Sequence, residues 1–114
     1  MTSQRDVQVI NKLLSESAQL TDLIDGLTLE DFLNDERTKR AVCMTLTNIG
    51  ELIKNLTDDF RKQHSEIPWK LIAGLRDVTA HKYQTLRMED IWETATKDIP
   101  KLQKDLTAIL DNLA

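Results

Sequence analysis

Residues 88–113 read MEDIWETATKDIPKLQKDLTAILDNL. Within them Trp92, Ala95, Ile99, Leu102, Leu106, Ile109 and Leu113 recur three and four apart without a slip. That period keeps the apolar side chains on one face and predicts a helix from about Met88 to Asn112. Pro100 falls off the stripe, so a kink on the outer side is expected rather than a stop.

The same pattern returns upstream. Val42, Leu46, Ile49, Ile53 and Leu56 alternate four and three apart, which predicts a second long helix beginning near Asp35 or Glu36. Gly50 sits in its middle, where it costs about 1 kcal/mol relative to alanine and often allows another backbone to come close. Met44 projects away from the stripe and offers a second contact surface. A first helix is predicted from about Gln4 to Asp25, with Ser3 and Asp6 resembling a capping box. Its apolar face is Val7, Ile10, Leu13, Leu14, Leu20, Leu23 and Ile24, and Gly26 fits the position just past its end. LTLEDFLND then reads as a capped turn that tucks in Leu29, Phe32 and Leu33. TDDFRKQHSEIP reads as a helical turn and a link. Pro68 suits the start of a third helix, with Trp69, Leu71, Ile72, Leu75 and Val78 on its buried side. KYQTLR looks like a loop. The expected fold is all-α: a single domain over residues 1–114, an up-and-down bundle of four main helices plus short helical turns.

Composition agrees with that class. The chain has 114 residues, 40% hydrophobic and 30% charged, with three glycines and two prolines. No apolar run approaches the roughly 20 residues that span a bilayer, and the start, MTSQRDVQVINK, lacks the apolar middle of a secretory signal. Cys43 is the sole cysteine, so a reducing cytoplasm is the expected location and core filling its expected role. The net charge of −4 argues against a general nucleic-acid coat. Yet residues 61–87 hold six basic and two acidic side chains, against nine basic and seventeen acidic elsewhere. This tract is a positive island on an acidic protein.

The reactive side chains gather inside that island, in GLRDVTAHKY, residues 74–83. Arg76 and His81 are five apart, about 140° around a regular helix, so they diverge unless the helix ends between them or a second chain supplies the pairing. Asp77 and His81 are four apart and share a face, where the carboxylate can fix the imidazole tautomer. Tyr83 follows in the loop, where its phenol is expected to be exposed. A plain structural reading also exists, since a histidine near a helix C-terminus favours the dipole. His64 has no supporting partners in the sequence and reads as a surface residue. No Cys/His cluster, Glu-x-x-His spacing or glycine-rich phosphate loop is present, so neither metal nor cofactor is expected. The acidic pairs Glu30–Asp31, Asp58–Asp59 and Glu89–Asp90 fall at predicted helix starts and read as dipole partners.

Arg76-x4-His81-x-Tyr83 resembles the Arg-x4-His-x-Tyr motif of HEPN-domain proteins, specifically the HepT-like toxins of bacterial toxin–antitoxin pairs. FLNDERTKRAV, NIGELIKNL, EIPWKLIAGLRD and DIWETATKDIPKLQKDL resemble that family in order and spacing, over nearly the whole chain. Arg87 stands where relatives tend to carry a helix-capping aspartate. The resemblance implies a homodimeric, metal-independent ribonuclease with the motifs of both chains facing each other in a cleft. Arg76 and His81 would be catalytic and Asp77 supporting. Lys82, Lys70 and Arg87 are candidates for binding RNA phosphates. It further implies a partner, a minimal nucleotidyltransferase antitoxin that transfers AMP to Tyr83, and a chain–chain contact through Gly50 and Met44. The alternative is a non-catalytic HEPN module that binds nucleotide, RNA or a nucleotidyltransferase. A plain helical dimerisation domain would leave residues 76–83 without a role.

Overall fold

The computed structural model describes residues 2–77 and 83–113. Helix α1 spans Gln4–Ile24, α2 Leu29–Leu33, α3 Glu36–Ile53, α4 Asp58–Gln63 and α5 Trp69–Ala73. A 3-10 turn follows at Gly74–Asp77 and another at Tyr83–Thr85. Then come α6 at Met88–Glu93, a π-helical turn at Thr94–Asp98, and α7 at Ile99–Asp111. The protein is an all-α helical bundle. Helix α3 is its hub, packed on α1, α2, α5 and the first 3-10 turn, while α7 packs on α1.

Side-chain oxygens start the first four helices. Ser3, Thr28, Asp35 and Thr57 each accept a hydrogen bond from a backbone N–H in the first turn of α1, α2, α3 and α4. The three acidic pairs lie in the first turns of α2, α4 and α6, as expected of dipole partners. Helix α6 begins at Met88 although Arg87, at its N-cap, gives no side-chain cap. Gly26 has φ 76°, the left-handed turn expected after α1.

Ile10, Leu13, Leu20, Phe32, Val42, Leu46, Ile49, Ile53, Ile99 and Leu106 form the fully buried centre. Cys43 is among them, and burial pushes its thiol up to about 11, as befits core filler. Three residues expected inside are not: Leu29, Leu71 and Leu113 are exposed. Leu113 lies past the last helical residue, and Leu71 lies on α5, a five-residue helix that buries only Trp69 and Ile72.

The last helix does contain a slip. In the π turn the Ile99 N–H donates to the Thr94 carbonyl, five residues back. The extra residue moves the preceding turn round by one position. Ile91 is therefore buried, and Trp92 rests at the edge with its ring centroid 5.1 Å from that of Phe32. Pro100, exposed and lacking an N–H, sits directly after this widened turn. Where a kink was expected at Pro100, the helix carries a π turn just before it.

Candidate active site

Trp69 anchors the approach to the motif. Its indole N–H donates to the carbonyls of Arg61 (3.1 Å) and His64 (3.0 Å), which fixes α5 to the end of α4. His64 is not a free surface residue. Its ring packs at a tilt against Phe60 with centroids 4.6 Å apart, and its Nδ1 is 3.8 Å from Glu66. Burying Phe60 draws the neighbouring ring down with it.

Past Ala73 the α-helix tightens into the 3-10 turn that carries Arg76 and Asp77. Gly50 makes room for it. A Cβ on Gly50 would stand 3.0 Å from the Ala73 carbonyl and 3.1 Å from Arg76 Cα, and closer still to the Arg76 backbone nitrogen. The glycine therefore serves a backbone approach within the chain, where the resemblance had assigned it to a chain–chain contact. Met44 does remain outside, 57% exposed.

Arg76 is thus held by its backbone while its side chain stays 39% exposed. Its Nε lies 3.6 Å from the Asp77 carboxylate. Asp77, expected to orient His81, here flanks the arginine. His81, Lys82 and Val78 lie outside the described residues. The α-helix itself ends at Ala73, so Arg76 stands on a 3-10 turn and not on the regular helix expected for it.

Tyr83 is placed by contacts that the sequence did not announce. Its hydroxyl donates to Glu36 Oε2, across from the first turn of α3. The Arg40 guanidinium covers its ring, 4.6 Å from the centroid. Arg40 Nε is 3.2 Å and Lys39 Nζ 3.6 Å from the two oxygens of Glu36. Tyr83 is half-buried, not the open loop residue expected. Burial, then the Glu36 bond and charge, push its phenol up to about 12. The hydrogen bond from Tyr83, aided by Lys39 and Arg40 against some burial, holds the Glu36 carboxyl below its usual range. Both groups are therefore in their usual forms at neutral pH, a phenol and a carboxylate. The only sequence signal was the charged run ERTKR, residues 36–40, which reads as a solvated helix start.

The remaining candidates are dispersed. Lys70 is exposed and lines an open depression with Arg61, Lys62, Trp69 and Leu71. Arg87 is exposed at the start of α6. Among the described residues no cluster of histidine, cysteine or carboxylate side chains could hold a metal ion. Nor is any described helix long and apolar enough to cross a membrane.

The family model "Ribonuclease HepT-like" matches residues 13–109. The chain belongs to the HepT-like ribonuclease family. It is a HepT-like protein of the HEPN superfamily, as its motif and flanks had suggested. The match takes in α3, α5, the Arg76 turn and Tyr83. A protein of Caldanaerobacter subterraneus subsp. tengcongensis named "Putative RNase TTE0752" is 42% identical, covering 89% of this chain and 90% of its own. "Probable ribonuclease HepT" of Thermococcus cleftensis is 39% identical over 79% of this chain and 86% of its own. "Putative RNase MJ0127" of Methanocaldococcus jannaschii is 32% identical over 96% and 92%. No solved structure matches the chain.

Proposed function

We propose that this HepT-like protein is a metal-independent endoribonuclease, the toxin of a toxin–antitoxin pair, with its site at a cleft between two copies. The observation that carries the reading is Arg76. Its backbone is seated on Gly50 while its guanidinium stays accessible, five residues before His81 in the chain. A guanidinium fixed at its root is suited to hold a scissile phosphate and to stabilise charge on its oxygens in the transition state. One His81 takes the proton of an RNA 2′-hydroxyl, and the second copy's His81 protonates the leaving 5′-oxygen. Each such proton transfer is worth about 10²–10⁴-fold. The products are a 2′,3′-cyclic phosphate and a 5′-hydroxyl. Lys70, Lys82 and Arg87 steer the strand as phosphate partners.

Regulation falls to Tyr83. A nucleotidyltransferase partner transfers AMP from ATP to the phenol, and the attached anion closes the cleft. Tyr83→Phe keeps the ring and removes the acceptor, so that variant stays active when the partner and ATP are present.

The test is RNA cleavage in excess EDTA. Wild-type protein is expected to cut, and Arg76→Ala and His81→Ala are each expected to lose at least ~10²-fold while retaining helical circular dichroism. Cleavage that requires added magnesium contradicts the metal-independent mechanism. A folded wild type inactive on every RNA points to the non-catalytic binding module.

A further inference from the structure

If Tyr83 is a group-transfer acceptor, something must take its proton. A phenol near 12 is almost wholly protonated at neutral pH, so its oxygen attacks only if a base removes the hydrogen as the new bond forms. The structure already supplies a contact of that kind on the same chain. The Tyr83 hydroxyl donates to Glu36, a side chain 59% exposed and kept anionic by this hydrogen bond first, with Lys39 and Arg40 adding to it. Among the described residues no other carboxylate is hydrogen-bonded to this phenol.

We propose that Glu36 is the proton acceptor for nucleotidyl transfer to Tyr83, and that Arg40 then receives the transferred phosphate. The inference rests on the reading of Tyr83 as the AMP acceptor. In the step, Tyr83 Oη attacks the α-phosphorus of ATP. The bond from that phosphorus to the bridging oxygen breaks, and its electron pair leaves with pyrophosphate. The phenolic proton passes to Glu36. The product is a tyrosyl phosphodiester, a neutral Glu36 and free pyrophosphate.

The charges then rearrange in a definite way. Before transfer, Arg40 and Lys39 are turned on the Glu36 carboxylate at 3.2 and 3.6 Å. Protonation of Glu36 removes that attraction at the moment a phosphodiester anion appears on the oxygen it was bonded to. Arg40 already lies over the tyrosine ring, so its guanidinium needs little movement to bond the new anion. When Glu36 later loses its proton to solvent, its negative charge beside the phosphodiester favours keeping the cations between them. The start of α3 thus acts first as base and then as anion holder.

The experiment incubates the full chain with ATP, magnesium and the nucleotidyltransferase, and follows AMP incorporation by intact mass with peptide mapping. Glu36→Gln keeps a hydrogen-bond acceptor but cannot take the proton, and incorporation is expected to slow at least ~10²-fold. Glu36→Ala is expected to be slow as well and to recover when formate or acetate is added. A merely structural side chain would not be replaced by a diffusible base. Glu36→Gln modified at the wild-type rate overturns the inference. Slow variants that ignore formate and acetate make Glu36 a positioning residue and overturn its role as base. If wild type gains no AMP on Tyr83, the underlying reading fails instead, and the inference with it.

Discussion

Gly50 is the residue on which the placement of Arg76 turns. Alanine there would gain about 1 kcal/mol of helix propensity. Against this stands a Cβ pressed on backbone atoms of Ala73 and Arg76, which cannot swing aside as a side-chain tip can. Overpacking of this sort costs about 1–3 kcal/mol, so the clash is expected to win. Gly50→Ala should therefore lower the urea midpoint and reduce RNA cleavage together, because relief of the clash moves the arginine turn. A raised midpoint with full activity would show that the approach is looser than the geometry indicates. The sequence made Gly50 conspicuous as a mid-helix glycine, and it also suggested a backbone neighbour. Which backbone it meets depends on α5 returning across α3, and no periodicity encodes that. The bond from Tyr83 to Glu36 was invisible for the same reason: the two are 47 positions apart.

At the scale of elements, the start of α1 and the start of α4 are joined by one carboxylate. Asp6 is 2% exposed and accepts from the Thr57 backbone N–H at 2.9 Å, the Thr57 hydroxyl at 2.7 Å and the Ser3 hydroxyl at 2.9 Å. Burial alone would raise its pKa, but the Thr57 and Ser3 bonds outweigh burial and hold it below 3.8. A depressed folded-state pKa means stability that is fully present above the unfolded value and lost as pH falls through the folded one. Asp6→Asn should cost about 1.5–3 kcal/mol at pH 7, the range for hydrogen bonds to a charged group. The gap in urea midpoint between wild type and variant should shrink as the pH is lowered below about 4. A gap unchanged across that range would mean the proton is not what the clamp responds to. The Ser3–Asp6 pair was legible as a local cap. Its reach to Thr57 was not, because capping patterns are local and this bond is tertiary. The π turn at Thr94–Asp98 shows the opposite failure, in which an unbroken three-four spacing concealed a one-residue slip.

At the scale of the molecule, the sequence carried the helix positions and most of the core, because burial at helical period leaves a record in every turn. It carried the motif residues too, since their types and order survive without coordinates. What it did not carry was how they meet, and the proposed chemistry makes that a question of two chains. A cleft that needs one histidine as base and another as acid requires two copies related by a two-fold axis. Light scattering at micromolar concentration should give about twice the chain mass. We propose that Met44 lies in that contact, for it is apolar, 57% exposed and on the outer face of the hub helix. A two-fold interface contains it twice, so each substitution counts double. Met44→Glu is expected to weaken the dimer by about 100-fold, equivalent to roughly 1.4 kcal/mol from each copy. RNA cleavage should fall in step with the dimer fraction and recover at high protein concentration, with the unfolding midpoint of the isolated chain little changed. A monomer that cuts RNA at the wild-type rate would rule out the shared cleft. A variant that stays dimeric would place the interface on another face.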